Sequence, residues 1–303
     1  MKARCAYREK YMHSRYWLIL VALGPATAFA WGNGCELRAD RAAGVDAKGI
    51  DKVVIRTGAG DMKVVGRGDA VRVEARGVAC AGKQESLDQA QIVIRREGGV
   101  VYVETQLPKD DDSWKWGIGD YAYIDIGIAL PSGVPVEAED SSGDAVFEDL
   151  KSLQLQDSSG DLNVTRIDGL ADVNDSSGDL EIRSAGSVRV RDSSGDIEID
   201  DVRGDVDVVQ DSSGDIRIEK VAGGVRIEQD SSGDIRVEDV KGSFVVDSDS
   251  SGSIYAENIK GDFTVSSDSS GDIEHDSIGG KVTIPSDKRG DDDDDDEKEA
   301  VEK

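Results

Sequence analysis

From Asp140 to Ser286, apolar residues fall on every second position in short runs, and the runs return at a fixed distance. One unit, starting at Asp211, reads DSSGDIRIEKVAGGVRIEQ. Ile216 and Ile218 alternate with Asp215, Arg217 and Glu219, and Val225 and Ile227 alternate with Arg226 and Glu228. Alternation with period two predicts a strand with one buried face. Val221 sits between the two runs, beside Gly223 and Gly224, so each unit reads strand, turn, strand, turn. The preceding unit keeps the inward slots apolar with Ile197, Ile199, Val202, Val206 and Val208. The following unit does so with Ile235, Val237, Val240, Phe244 and Val246.

The runs are punctuated by one phrase. D-S-S-G-D begins at Asp140, Asp157, Asp175, Asp192, Asp211, Asp230 and Asp268, and D-S-S-G-S begins at Asp249. Successive starts lie 17, 18, 17, 19, 19, 19 and 19 residues apart, the mark of a stacked repeat. Two five-residue strands bury too little to offset chain entropy, so no unit folds alone. Stacked in parallel at ~4.8 Å, eight units make a rod roughly 38 Å long with a thin aliphatic core between two sheets. Parallel connections favour a right-handed coil. The expected fold is an all-β, right-handed parallel β-solenoid of about eight regular coils, with irregular β-coils or a cap at the N-terminus.

The phrase itself is turn chemistry. The leading Asp accepts backbone N–H groups, Ser is tolerated in the middle, and Gly supplies the positive φ that closes the turn. Stacking then aligns the acids in two columns. Asp140, Asp157, Asp175, Asp192, Asp211, Asp230, Asp249 and Asp268 lead the phrase, and Asp144, Asp161, Asp179, Asp196, Asp215, Asp234 and Asp272 close it. Like charges about 5 Å apart repel by about 0.8 kcal/mol in water. Ca²⁺, which prefers oxygen ligands, is the cation that such a ladder would take. The glycine/aspartate phrase of calcium-binding β-rolls, G-G-x-G-x-D, is absent. No metal ligand, cofactor or catalytic residue is therefore assigned, and the ladder stands only as a candidate.

The remaining chain divides around the repeats. Lys2, Arg4, Arg8, Lys10 and Arg15 precede an apolar run from Trp17 to Leu23, and Ala28-Phe29-Ala30 offers a small-x-small site. Residues 1–30 read as a secretory signal peptide, with Met12 an alternative start. Residues 31–48 form a lead of little periodicity that runs over the surface. Residues 49–139 carry the repeat's texture without its period, in strands around Val53 and Ile55, Met62 and Val64, and Val71, Val73 and Ala75. A helical turn is expected over Ser86 to Gln91. A further strand pair, Ile92-Ile94 with Val101-Val103, flanks Gly98-Gly99. Trp114, Trp116 and Tyr121 sit in or beside an acidic loop, where they either cover a sheet edge or stack on a sugar or a partner protein. Residues 140–286 are the regular solenoid. His275 occupies an inward slot of its last coil, as a frayed end would. Residues 287–303, with six consecutive aspartates, read as a disordered acidic tail.

Formal charge is −27, and it falls to −31 without residues 1–30, which carry five basic residues and one acidic one. That excludes nucleic acid and anionic membrane as direct partners. Beyond the leader's Cys5, two cysteines remain, and in an oxidising compartment Cys35 and Cys80 are expected to pair, the rival readings being a lipidated N-terminal Cys35 or free or intermolecular thiols. R-G-D at 67–69, 203–205 and 289–291 is explained by turn chemistry.

Ile126-Gly127-Ile128-Ala129-Leu130-Pro131-Ser132-Gly133-Val134-Pro135-Val136, followed by recurring Ser-Gly-Asp turns, resembles the bacterial putative-adhesin family, a group of exported or tethered proteins with a domain of unknown function. The likeness runs from about Gly49 to Pro285. It implies a right-handed parallel β-solenoid and, by name, adhesion, with no catalytic residues to carry over. The expected function is a non-enzymatic exported protein of the periplasm, outer surface or medium, an adhesin or scaffold. Its partner would be an envelope protein or polysaccharide. A Ca²⁺-binding module and a polysaccharide-binding or polysaccharide-active β-helix are the alternatives. Against an enzyme, the acids are replicated in every coil, whereas an active site needs one unlike cluster.

Overall fold

The computed structural model describes residues 35–108 and 121–286. The segment read as a signal peptide, the loop with Trp114 and Trp116, and the run of aspartates near the C-terminus lie outside the described residues. Among the described residues the protein is nearly all β, 59% strand and 2% helix, and forms a parallel β-solenoid.

The N-terminal elements are β1 (Leu37–Asp46), β2 (Lys52–Arg56), β3 (Met62–Arg67), β4 (Arg72–Ala81), α1 (Gln84–Gln89), β5 (Gln91–Glu97), β6 (Val100–Gln106) and β7 (Ala122–Pro131). The regular coils follow. β8 (Val136–Glu139) and β9 (Ala145–Leu150) flank the first D-S-S-G-D corner, and β10 (Leu153–Gln156) leads to the second. β11 (Leu162–Asn174) and β12 (Leu180–Arg191) each span both strands of a single coil. Then come β13 (Ile197–Val202), β14 (Val206–Gln210), β15 (Ile216–Val221), β16 (Val225–Ile227) and β17 (Ile235–Val240). The last are β18 (Phe244–Val246), β19 (Ile254–Glu257), β20 (Phe263–Val265), β21 (Ile273–Asp276) and β22 (Val282–Thr283).

Equivalent strands stack in register. Ile197 pairs with Ile216, Ile216 with Ile235 and Ile235 with Ile254, all in parallel. On the other side Val206 pairs with Val225, Val225 with Phe244 and Phe244 with Phe263. The Phe244 and Phe263 rings stack with centroids 5.2 Å apart. Ile216, Ile218, Val221, Val225 and Ile227 are all at most 2% exposed, so the five predicted inward slots are filled as read. Val221 breaks strict alternation because Lys220 before it takes φ +55°, which flips the phase by one residue. Asp201 and Asp239 do the same in the adjacent coils. Burying each such side chain contributes roughly 1.5–3 kcal/mol.

The N-terminal region contains two further rungs, and their order in space differs from their order in sequence. β2 and β3 pair in parallel with β8 and β9, directly below the first regular coil. β6 and β7 pair in parallel with β2 and β3 on their other edges. The rung made of residues 52–67 is therefore spliced between one made of residues 100–131 and one made of residues 136–150. Antiparallel strands close this end: β4 on β7, β1 on β4, and β5 on β6.

Two local expectations need correction. The lead is not an aperiodic surface run, because β1 pairs with β4 over ten residues. Its inward positions are mostly small (Ala39, Ala43, Val45) and only half-buried on an edge strand, so the alternation is faint. Val71 is 73% exposed and lies just before β4, although it shares the phase of Val73 and Ala75. The helical turn forms two residues earlier than expected, as α1, with Gln91 already in β5, and the pair across Gly98-Gly99 forms as the β5–β6 hairpin.

Candidate functional site

The repeated corner is where the acids, hydroxyls and glycines converge, and each of its five positions has its own neighbour. Gly214 has φ +128°, and a Cβ built on it would stand 1.8 Å from the carbonyl oxygen of Gly195 in the coil below. The same near-contact recurs at Gly195 above Gly178 and at Gly233 above Gly214, so glycine is required twice over, by backbone conformation and by space. Its N–H donates to the Ser232 carbonyl of the next coil at 3.2 Å. The second serine donates its hydroxyl to a carbonyl one coil below, as Ser194 does to Ser176 and Ser232 to Ser212, both at 3.2 Å.

The two aspartate columns form, and they are unlike. The closing aspartates lie outside and make a continuous ladder. Asp144 Oδ1 accepts the N–H of Asp161 at 3.1 Å, and Asp161 accepts that of Asp179. The series runs on through Asp196 and Asp215 to Asp234, which accepts from Ser253 at 2.8 Å. It begins before the first repeat, with Asp125 accepting from Asp61 and Asp61 from Asp144. Each carboxylate thus satisfies a backbone donor in the neighbouring coil, worth more than a neutral hydrogen bond.

The leading aspartates point inward. All eight are buried, with exposures from 0% at Asp211 to 7% at Asp268. In Asp175 and Asp192, Oδ1 accepts the N–H groups of the two following serines, while Oδ2 is buried with no hydrogen-bond partner. In Asp157 and Asp230 neither oxygen has a donor in bonding geometry. Burial, and then the neighbouring column carboxyls, push Asp157 and Asp230 up to about 7. Asp192 is likewise raised to about 7, with burial as the main cause, and Asp211 to about 6. Asp140 and Asp175 are also raised, again chiefly by burial.

The column starts on Thr57, whose hydroxyl donates to Asp140 Oδ1 at 2.7 Å. Thr57-Gly58-Ala59-Gly60-Asp61 is a degenerate copy of the phrase. Gly60 has φ +118°, its N–H donates to Ser142, and Ala59 bridges Ser142 in parallel. Sequence reasoning passed over this corner because only Gly60 and Asp61 keep the consensus letters. The signal that could find it is Gly-Asp followed by the alternating run Met62-Lys63-Val64.

Among the described residues, no three or more His, Cys, Asp or Glu side chains gather to hold a metal. Neither column is assigned as a set of metal ligands. Tyr121 stacks on Tyr123, with centroids 6.1 Å apart, and its hydroxyl accepts the N–H of Glu36 at 3.0 Å. Trp114 and Trp116, predicted beside it, lie outside the described residues. Cys35 and Cys80 are joined in a disulfide with Cα atoms 5.5 Å apart, tying the lead to β4. His275 is exposed on the last coil and meets the Phe263 ring edge-on. Of the R-G-D tripeptides, the second is part of a corner: Asp205 Oδ1 accepts the N–H of Gly224 at 2.8 Å.

Fold and corner together define a repeat protein of the parallel β-solenoid class. The chain belongs to the Toastrack DUF4097 family, whose model matches residues 96–283. Among solved structures it is similar to a putative cell adhesion protein from Clostridium sporogenes, at 10% identity over 82% of this chain and 100% of that one, with a TM-score of 0.31. A putative adhesin from Parabacteroides merdae shares 14% identity over 84% of this chain and 98% of that one, with a TM-score of 0.33. A putative lipid binding protein from Parabacteroides distasonis shares 18% over 84% and 98%, with a TM-score of 0.40. Similarity at this level says nothing of what this chain binds. No curated protein matches it.

Proposed function

We propose that this chain is an exported, non-enzymatic structural rod of the cell envelope, acting in adhesion or scaffolding through its repeated outer faces. The observation that carries this reading is the use made of the corner chemistry. Serine hydroxyls, glycine N–H groups and closing carboxylates all engage the next coil, identically from coil to coil. What faces a partner is the outward side of the strands, where one row alternates in charge along the axis while another stacks Glu219, Glu238 and Glu257. Asp172 pairs with Arg189, Arg189 with Asp207, and Asp207 with Arg226. A row of alternating charges at ~4.8 Å spacing suits an extended polymer or a repetitive surface better than a small ligand. The Cys35–Cys80 disulfide and the leader-like residues 1–30 support export.

The test combines cell fractionation with retention of the chain from Trp31 on immobilised envelope polysaccharide and envelope protein. The rod reading expects the chain in the envelope or the medium, and retention that weakens when the coil 230–248 is removed. Cytoplasmic location, or catalytic turnover of the polysaccharide, would overturn it.

A further inference from the structure

We propose that the inward aspartates form a proton-sharing column, so that the rod is a pH-responsive element that tightens on acidification and loosens above neutrality. The claim does not depend on what the rod binds.

Three observations carry it. First, the carboxyls are stacked one per coil from Asp140 to Asp268, at the rung spacing set by the parallel ladders, and the backbones of Asp230, Asp249 and Asp268 pair directly. Second, these side chains are more than nine-tenths buried, yet the Oδ2 atoms of Asp175, Asp192 and Asp211, and both oxygens of Asp157 and Asp230, are aimed into the column without a donor. An ionised oxygen there forgoes water and gains nothing, whereas a protonated one becomes a donor to the carboxyl in the next coil. Third, among the described residues no Lys or Arg is a cause of the displacement of these carboxyls. Asp61, Asp161 and Asp196 of the outer ladder act on Asp140, Asp175 and Asp211 as further negative charges. The strands that follow begin with apolar Leu180, Ile197, Ile216 and Ile235. On the preceding strands, Glu139 and Arg191 lie on the outer side of the alternation. Thr57, a neutral donor, serves only the first carboxyl. The upward displacement of Asp157, Asp192 and Asp230 to about 7 agrees with this geometry.

The sign follows from linkage. Unfolded aspartates lose their protons near pH 4, while Asp157, Asp192, Asp211 and Asp230 of the folded column keep them to about pH 6–7. Folding therefore takes up protons across that window. Stability from the column is fully present below the unfolded value and is lost as pH rises through the folded one.

The experiment compares the melting temperature of the chain from Trp31 between pH 4.5 and 8 with two triple variants. Asp192→Asn, Asp211→Asn and Asp230→Asn keep the turn acceptor and remove the titrating group. Asp196→Asn, Asp215→Asn and Asp234→Asn make the same change in net charge on the outer ladder. The column reading expects the wild-type melting temperature to fall as pH rises. The inner variant should be more stable at pH 8, with its pH slope reduced by up to one proton per substituted site, while the outer variant keeps the wild-type slope. Infrared spectra of the wild type should show a carboxylic-acid band that persists at pH 6 and disappears by pH 8. Equal slopes in the two variants would trace the effect to overall charge and overturn the proposal, as would absence of that band at pH 6. A rise in melting temperature at pH 8 on adding Ca²⁺, as large as that on acidification and lost in the inner variant, would also overturn it in favour of a cation-filled column.

Discussion

The two ends of the solenoid are finished differently. At the N-terminal end, β6 and β7 are covered by antiparallel β5 and β4, β1 is added beyond β4, and a disulfide fastens the lead. At the C-terminal end, among the described residues, β21 pairs with β19 alone and β22 with β20 alone. Ile273, Ile278, Val282 and Ile284 are half-exposed there, and His275 stands where Ile218 and Val237 are buried in earlier coils. Every coil takes much of its apolar contact from its neighbours, so a terminal coil lacks one side of its core unless another element supplies it. Reversing strand direction is how the N-terminal end supplies it. Stability should accordingly be highest in the middle coils and lowest at the C-terminal end.

Substitutions along the axis put numbers on that gradient. The largest effect is expected from Gly214→Ala, which forces a Cβ against the Gly195 carbonyl at a strained φ, at a cost of more than about 4 kcal/mol. Gly68→Ala, with nothing within 4 Å of its Cβ, should be neutral in the same urea titration. Ile218→Ala empties a fully buried mid-rod slot and should cost about 3–5 kcal/mol. Its C-terminal counterpart, His275→Ala, should cost less than about 0.5 kcal/mol, and comparable losses at the two sites would abolish the gradient. Replacing both Cys35 and Cys80 with Ser should cost about 2–4 kcal/mol, with β1 amides losing protection from hydrogen exchange before those of β15. Thr57→Val should cost about 1–2 kcal/mol by removing the donor to Asp140. Because that raises the Asp140 pKa further, the loss should be greater at pH 8 than at pH 5.

Much of this architecture is legible in the letters, for a physical reason. Inward positions such as Ile216, Ile218 and Val225 need apolar side chains in each interior coil, and Gly214 has no substitute, so period and phrase both survive. The remainder hides where structure uses weakly distinctive residues. β1 buries small side chains on an edge, and the corner at Thr57 keeps only two consensus letters. The burial of Asp192 and Asp211 runs against the usual exposure of aspartate, and only stacked coordinates reveal that the first and fifth acids of one phrase face opposite ways. The structure also shows that most of the corner's bonds run between coils, where turn chemistry had suggested bonds within one.

The splice of residues 52–67 bears on how the molecule comes to be made. These strands are synthesised early, yet the partners for one edge end at residue 131 and those for the other at residue 150. At ribosomal rates of ~5–20 residues per second, a nascent chain folding as it emerged would leave bare, adhesive strand edges waiting for about 4–17 s. Translocation in an extended state, followed by collapse of the whole polypeptide at its destination, would remove that interval. The out-of-order rung thus favours folding of the completed chain over folding during translation.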